Sequence, residues 1–279
     1  MRNELLDLAK LDWMARELAA PYKAAPPFPH ACIDDFLDPD IYRKASDAFP
    51  SRTEATWFKY QSAAENLKLQ IQDFYAIPPA LRALIVELNG PGFLRFLETL
   101  TGVQGLVPDP HLHGGGLHQT LPGGHLGLHI DYNYHLEWKL DRRVNVLLYL
   151  NDTWDDSWAG HLQLWDEGVQ HCVQKIAPIG NRLVVFSTNE YSWHGHPVPL
   201  ACPPGVARRS IALYYYSNGR PEDEVADVHT TRFQAAPGAR FPLTARDILT
   251  GITPPYAKAL ADRKSTRLNS SHGYISYAV

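Results

Sequence analysis

The sequence predicts a mainly β chain of the α+β class, in which a jelly-roll of strands carries helices on one of its sheets. Two observations lead to this prediction. From about residue 105 onward, glycine clusters separate short apolar runs rich in β-branched and aromatic residues, which is typical of strands in a sandwich or barrel. Before that point, apolar residues recur at helical spacing. A helical front followed by six or more strands therefore predicts helices packed on one sheet.

The helical front contains three predicted segments. Residues 1 to about 20 form an amphipathic pattern, and Asp38-Pro39 is a typical start for a second helix. Residues 77–102 show the clearest helical spacing, which Asn89-Gly90-Pro91 interrupts and Gly102 ends as a C-terminal cap.

Six runs in the second half predict strands, each bounded by turn-forming residues. A turn at Gly123-Gly124 is expected directly before the first of them, and from about residue 219 little strand pattern is left. The predicted strands are LGLHIDY, VNVLLYLND, HLQLWD, HCVQKI, RLVVFST and RRSIALYYYS.

Composition and charge narrow the function classes. The chain has 279 residues, 45% of them hydrophobic, and a formal net charge of −4 without a basic patch, so we expect no nucleic-acid partner. Its three cysteines are widely spaced, which favours a reducing compartment. No stretch has the pattern of a membrane span or a signal peptide, so we expect a soluble cytoplasmic protein.

The triplet His129-Ile130-Asp131 is the strongest indication of chemistry in the chain. Residues two apart on an extended strand point to the same face, so this strand directs an imidazole and a carboxylate at one point. A second imidazole would complete the 2-His-1-carboxylate set that holds non-heme Fe(II). His125 and His129 have the spacing of a zinc-protease pair, but neighbouring glycines disfavour a helix there and the general-base Glu is absent.

Downstream residues offer the remaining groups. His194 and His196 are both candidates for the second imidazole, because residues two apart on an extended backbone face the same way. The guanidinium of Arg208 and the hydroxyl of Ser210 share a strand face that suits a carboxylate, while Arg209 points away. The alternative is a pair of surface arginines at the start of a strand.

From about Leu112 to Tyr216 the chain resembles the catalytic core of the 2-oxoglutarate and Fe(II)-dependent dioxygenases, in the prolyl-4-hydroxylase-like branch. This resemblance implies a double-stranded β-helix fold. Ala159-Gly160 departs from the Gly-Gly usual in relatives, a change we take as minor. The segments that agree in order and spacing are GGGLHQTLPGGHLGLHIDYN, RRVNVLLYLN, WDDSWAGHLQLWD, RLVVFSTNEYSWHGHP and RRSIALYYYS.

The resemblance implies that His129, Asp131 and His194 are the iron ligands, which favours His194 over His196. Halogenating relatives replace the carboxylate with a small residue, so the presence of Asp131 implies hydroxylation.

The resemblance also implies a site for 2-oxoglutarate, the co-substrate. Arg208 and Ser210 match the family's Arg-x-Ser element, and Tyr149 matches the tyrosine that reaches the distal carboxylate. A long gap after the second histidine keeps Arg209 as an alternative to Arg208, and from the residues alone Tyr149 is equally a core residue. The implied cofactors are Fe(II) and 2-oxoglutarate, with ascorbate as a supporting reductant.

The implied function is hydroxylation of an aliphatic C–H bond with O2, releasing succinate and CO2. The substrate is either a residue within a peptide, for example proline, or a small molecule. Two alternatives are a cupin-type metal dioxygenase that uses no 2-oxoglutarate and a non-catalytic jelly-roll binding protein. The first has no need for Arg208 and Tyr149, and the second has no need for three metal ligands.

We expect residues 1–263 to form a single Fe(II)/2-oxoglutarate dioxygenase domain, with the catalytic core at about 105–218 and helical support at 1–104. Residues 264–279, KSTRLNSSHGYISYAV, resemble a read-through sequence of adapter or vector origin. We therefore expect a non-native tail there, the alternative being a native disordered tail, and exclude His272 as a ligand.

Overall fold

The computed structural model describes residues 5–53 and 56–238, so the predicted tail lies outside the described residues. The three predicted helical segments are confirmed, the first of them from Leu8 onward with Asp7 as its cap. Asp38 caps the second helix, and the third segment forms two helices that Asn89-Gly90 separates, the later one ending at Gly102 with a positive φ of 78°. The helices are α1 (Leu8–Ala24), α2 (Pro39–Asp47), α3 (Pro79–Leu88) and α4 (Pro91–Thr101).

Antiparallel strands make up the rest of the fold, and all six predicted strands are confirmed, as β5, β7, β8, β9, β10 and β12. The hairpin β2–β3 and the short strand β13 were not predicted, because their sequences are polar and short. The strands are β1 (His30–Ile33), β2 (Phe58–Gln61), β3 (Glu65–Ile71), β4 (Val107–Pro108), β5 (Gly116–Ile130), β6 (Tyr134–His135), β7 (Leu140–Tyr149), β8 (Leu162–Trp165), β9 (Cys172–Ile176), β10 (Leu183–Ser187), β11 (His194–His196), β12 (Arg208–Ser217) and β13 (Arg232–Gln234).

The strands form a nearly closed jelly-roll, the double-stranded β-helix. They follow the order β1-β10-β7-β12-β5-β11-β8-β9. Strand β5 belongs to both halves of the barrel: its first part pairs with β12 and β3, and its last part pairs with β11 and β13. The predicted jelly-roll with supporting helices is therefore confirmed.

The expected turn at Gly123-Gly124 is wrong, since β5 runs without a break from Gly116 to Ile130. The two glycines instead bond to a neighbouring segment: Gly123 donates its N–H to the carbonyl of Leu200 at 2.8 Å, and Leu200 donates to the carbonyl of Gly124 at 3.0 Å. A Cβ on Gly124 would lie 2.7 Å from the carbonyl oxygen of Asn66. Glycine is needed here for close approach rather than for a chain reversal.

Side chains that alternate along a strand face two different regions, the hydrophobic core under the helices and the interior of the barrel. Ile211, Leu213 and Tyr215 on β12 belong to the same buried cluster as residues of α3 and α4, and the hydroxyl of Tyr215 donates to the carbonyl of Leu88 at 2.8 Å. The intervening residues of β12 face the barrel interior, where the site lies. No helix in the described part of the chain is long and apolar enough to cross a membrane.

Candidate active site

The end of β5 and the short strand β11 bring three potential ligands together inside the barrel. His129 and His194 are direct cross-strand partners, and Asp131 follows just after β5. Nε2 of His129 lies 3.6 Å from Oδ1 of Asp131, and Nε2 of His194 lies 3.5 Å from its Oδ2. One ligand atom from each side chain lies within 4.8 Å of the others, and within residues 5–53 and 56–238 no other such group of three occurs. We call these three residues the triad.

A backbone carbonyl orients each imidazole of the triad. Nδ1 of His129 lies 2.9 Å from the carbonyl oxygen of Gly127, and Nδ1 of His194 lies 2.8 Å from that of Ser192. Because a carbonyl only accepts, we assign the proton to Nδ1, which leaves a lone pair on each Nε2. Burial lowers the pKa of both histidines, that of His194 to about 3, so the neutral, metal-binding form is present at neutral pH.

Arg142 and Asn145 hold Asp131 as a carboxylate. Nη2 of Arg142 donates to Oδ2 of Asp131 at 3.0 Å, and Nδ2 of Asn145 donates to the same oxygen at 2.7 Å. Burial alone would raise the pKa of Asp131, but the charge of Arg142 and the hydrogen bond from Asn145 bring it well below its usual range. The guanidinium lies between the rings of Tyr132 and Tyr214, 4.6 and 3.6 Å from their centroids. Both donors occupy Oδ2, which leaves Oδ1 available to a metal ion.

The donor set of the triad fits Fe(II). Two neutral imidazoles and one carboxylate, grouped on one side, are the ligands that non-heme Fe(II) oxygenases use, and they leave positions open for small molecules. All three side chains are buried: 7% of each histidine side chain and 11% of the Asp131 side chain is exposed. All three residues line a cavity inside the barrel.

Arg208 lines the same cavity as the triad, and the cavity volume is about 190 Å³. Its Nε donates to the carbonyl of Gly160 and its Nη2 to the hydroxyl of Tyr149, both at 2.8 Å. Only 6% of Arg208 is exposed, and in the described part of the chain it forms no ion pair with a carboxylate. Burial lowers its pKa, since no anion offsets the loss of hydration. An unpaired buried cation is costly, so the cavity is built for an anionic ligand.

The other residues predicted around this arginine lie in different places. Ser210 lines the cavity next to Arg208. Tyr149 lies opposite Ser210 in the sheet but does not itself line the cavity; its fully buried hydroxyl holds the guanidinium of Arg208 in place. Arg209 points to the other side of the sheet, with its guanidinium 5.5 Å from the ring of Phe49. The arginine at the cavity is therefore Arg208.

His196 lines the cavity but lies outside the triad. Its Nε2 lies 3.5 Å from the hydroxyl of Thr120, and its buried Nδ1 has no hydrogen-bond partner among the described residues. His118 has the same character, because its Nε2 is buried without a partner and the side chain lines the cavity. Of the two downstream candidates, the structure thus brings His194 and not His196 to Asp131.

Sequence reasoning missed Arg142 and Asn145. Residues three apart on a regular strand face opposite sides. The pairing of β7 with β12 shifts register at this point, so that Tyr216 opposes Arg142 and Tyr215 opposes Val144. This bulge turns Arg142 to the same side as Asn145. The RRVN run was part of the family resemblance, but its spacing alone gives no indication of the bulge.

A double-stranded β-helix with such a donor set and an unpaired arginine in one interior cavity defines the class of non-heme iron oxygenases that take an anionic co-substrate. Residues 115–216 match the family model described as the 2OG-Fe(II) oxygenase superfamily. The matched segment, which carries the triad and Arg208, is a 2OG-Fe(II) oxygenase domain, so the protein is an enzyme, a 2-oxoglutarate-dependent dioxygenase with Fe(II) and 2-oxoglutarate as its cofactor and co-substrate. The predicted family and cofactors are thereby confirmed.

Solved structures show the same fold. A prolyl hydroxylase from Trichoplax adhaerens, in complex with a hypoxia inducible factor oxygen degradation domain peptide fragment, is 19% identical with a TM-score of 0.56, covering 75% of this chain and 92% of its own. HygX from Streptomyces hygroscopicus, with nickel, 2-oxoglutarate and hygromycin B bound, is 12% identical with a TM-score of 0.52, covering 77% of this chain and 96% of its own. A comparison with curated protein sequences finds no match.

Proposed function

We propose that this enzyme hydroxylates an aliphatic C–H bond of a peptidyl residue, with proline as the first candidate, or of a small molecule. The balanced reaction converts the substrate, O2 and 2-oxoglutarate into the hydroxylated product, succinate and CO2. One observation carries this proposal: the buried, unpaired Arg208 lines the same cavity as the triad. 2-Oxoglutarate has a keto-acid end, which would bind the metal, and a distal carboxylate, which needs a cation. The cavity offers a partner for each end, the triad with its metal for the first and Arg208 for the second.

In this proposal His129, Asp131 and His194 hold the iron. When bound together with 2-oxoglutarate, Fe(II) supplies the reductive activation of O2 that protein side chains cannot perform. The carbonyls behind the two imidazoles and the donors on Asp131 fix the ligands before the metal arrives. The carboxylate of Asp131 occupies the position that halogenating enzymes leave to a halide, which supports hydroxylation.

Arg208 and Ser210 are proposed to bind the distal carboxylate of 2-oxoglutarate. The guanidinium offers a planar fork for a bidentate pair, and the hydroxyl adds a further donor. Tyr149 and the carbonyl of Gly160 each occupy one N–H of Arg208 and thereby set the orientation of the fork. Burial strengthens this pairing because little water competes for the charges.

Peptidyl and small-molecule substrates both stay within the proposal. The prolyl hydroxylase from Trichoplax adhaerens was solved with a peptide fragment, whereas HygX was solved with hygromycin B. The fold therefore accommodates substrates of both kinds.

Anaerobic titration tests the proposal directly. We expect purified protein to bind Fe(II) and then 2-oxoglutarate, and to form succinate slowly when O2 and ascorbate are added without substrate. Asp131→Ala should abolish metal-dependent turnover, while Asp223→Ala, at an exposed position, should not. A cupin-type enzyme would bind the metal but not 2-oxoglutarate. A non-catalytic binding protein would bind neither Fe(II) nor 2-oxoglutarate, and that result would contradict the proposal.

A further inference from the structure

An irregularity in the pairing of β3 with β5 turns two charged side chains toward the active-site cavity. On a regular strand, residues 65 and 68 would point to opposite faces. The pairing of β3 with β5 shifts register between Asn66 and Lys68, and Leu67 there adopts a positive φ of 51°. As a result, Glu65 and Lys68 both line the cavity that contains the triad.

Packing does not account for this irregularity. A positive φ is unfavourable for a bulky residue such as Leu67, and 41% of that residue is exposed, so burial of its side chain does not offset the strain. Irregularities of this kind beside active sites commonly redirect a side chain. The observable result of this one is the joint placement of Glu65 and Lys68, which we take as its role.

The two charges form a pair that a ligand can enter. Nζ of Lys68 donates to Oε1 of Glu65 at 2.9 Å, and 13% and 17% of the two side chains are exposed. The ammonium also lies 4.5 Å from the centroid of the Tyr60 ring. Glu65 accepts the only hydrogen bond that Nζ makes among the described residues. Since an ammonium has three N–H donors, two are left for a ligand.

The position of Lys68 places such a ligand next to the co-substrate. Lys68 lies opposite Thr120 on β5, and Thr120 lies opposite Arg208 on β12. Arg142 is already bound to Asp131, and Arg208 is the cation proposed for 2-oxoglutarate. Of the cations that line the cavity in the described part of the chain, Lys68 is therefore the one left for the substrate.

We propose that Glu65 and Lys68 form the substrate subsite and that the substrate is a free α-amino acid, its carboxylate on Lys68 and its ammonium on Glu65. This inference rests on the proposed function and chooses between its two substrate classes. A single carbon separates the two charged groups of an α-amino acid, which matches two protein charges 2.9 Å apart. A residue inside a peptide carries neither charge.

The size of the cavity supports a small substrate. Its volume of about 190 Å³ is below the roughly 300–1,000 Å³ of pockets for drug-sized ligands, although it must also hold 2-oxoglutarate. An amino acid needs little more room than the co-substrate itself.

Binding and turnover of the twenty common amino acids test the inference. Under nitrogen, the enzyme loaded with Mn(II) and 2-oxoglutarate is mixed with each amino acid, and paramagnetic relaxation of the amino-acid protons reports binding near the metal. Succinate formation above the substrate-free rate is measured separately with Fe(II) and O2. N-acetyl and carboxamide derivatives of any ligand are compared with the free amino acid. The variants are Lys68→Met and Glu65→Gln, with Lys68→Arg for rescue and Lys59→Met, exposed on β2, as the matched control.

We expect at least one free amino acid to bind and its blocked derivatives to fail. Lys68→Met should weaken its binding at least about 30-fold, as loss of one partner of a desolvated charge pair does, with 2-oxoglutarate affinity unchanged. Lys68→Arg should restore part of the affinity, and Lys59→Met should behave as wild type.

Three other outcomes would count against the proposals. If 2-oxoglutarate binds but no amino acid does, or if blocked derivatives bind equally, this inference fails while the proposed function stands. Weaker 2-oxoglutarate binding in Lys68→Met would assign this lysine to the co-substrate. Failure of wild-type protein to bind 2-oxoglutarate would overturn the proposed function as well.

Discussion

Arg142 donates a hydrogen bond of 3.0 Å to the carboxylate of Asp131 from a position that is only 1% exposed. The charge of a potential metal ligand is thus balanced before any metal binds. The same guanidinium donates twice to Oδ1 of Asn145, at 3.0 and 2.9 Å, and so orients the amide that bonds the carboxylate. These contacts make Arg142 and Asn145 positioning residues for the proposed iron site.

Asn145→Ala should weaken metal binding by about 10- to 100-fold, the usual effect of removing an outer partner of a metal ligand. The substitution removes one of the two donors on Oδ2 of Asp131 and leaves Arg142 in place, so the fold should persist. Anaerobic titration with Fe(II) or Co(II) measures the effect. Arg95→Ala, an exposed change on α4, is the control. Equal metal affinity in Asn145→Ala and wild type would show that Asn145 does not support the site.

Arg208→Ala should weaken 2-oxoglutarate binding by at least about 30-fold with metal affinity nearly unchanged, because the distal carboxylate loses its buried partner. Arg209→Ala is a matched control at the neighbouring position, where the side chain lies outside the cavity. Anaerobic titration with 2-oxoglutarate compares the two variants. A larger effect of Arg209→Ala would reverse the assignment.

Stability of the metal-free protein should fall as the pH drops below about 6.5. Burial lowers the pKa of His194 to about 3, so the folded state keeps its imidazole neutral while the unfolded chain takes up a proton near pH 6.5. The contribution is therefore complete above pH 6.5 and is lost toward pH 3, by up to about 1.4 kcal/mol per pH unit. Burial lowers the pKa of several other histidines in the same direction. These are His113, His118, His129, His135 and His196.

Urea unfolding of chelator-treated protein at pH 8.5, 7.5 and 5.5 measures this dependence. The midpoint should change little between the first two values and fall clearly at the third. His196→Gln, which removes one buried imidazole outside the triad, should show a shallower decline. A midpoint that stays constant down to pH 5.5 would contradict the neutral state of these histidines.

Ala159→Gly should stabilise the protein by about 1 kcal/mol or more. Ala159 has φ 60° and ψ −141°, a conformation that glycine adopts without strain. The departure from Gly-Gly, expected to be minor, thus carries a conformational cost. Thermal unfolding should show a higher Tm for this variant.

Gly160→Ala is the opposing change at the next position. Its Cβ would lie 2.7 Å from Leu200 and 2.9 Å from Trp154, at a residue with φ 74°. Because the carbonyl of Gly160 accepts from Arg208, the substitution should lower both the Tm and the affinity for 2-oxoglutarate. A Gly160→Ala protein as stable as wild type would contradict the close packing.

Periodicity and turn residues were enough to predict the six strands, the helical front and the jelly-roll, because each depends on local patterns of apolar residues. The same rule of alternation placed His129 beside Asp131 and Arg208 beside Ser210. It failed where the strands are irregular. At β7 a bulge adds one residue, and where β3 pairs with β5 the register shifts and Leu67 takes a positive φ, so the faces of Arg142 and Lys68 are the reverse of what regular spacing predicts.

Contacts between segments that are distant in the chain could not be predicted from the sequence either. The choice between His194 and His196 depends on which one opposes His129 across the sheet, and this register is set by tertiary pairing. Likewise, the position of Tyr149 behind Arg208 rather than in the cavity depends on packing of the whole barrel.

Strand β5 fixes the distance between the two parts of the proposed cofactor site. It carries Thr120 opposite Arg208 in one half of the barrel and His129 opposite His194 in the other. The separation between the proposed iron ligands and the proposed carboxylate-binding arginine is therefore set by one continuous strand, not by loops. Surface loops can vary in length without altering this span. The enzyme can in this way change what it oxidises while the length of the dicarboxylate it consumes stays constant.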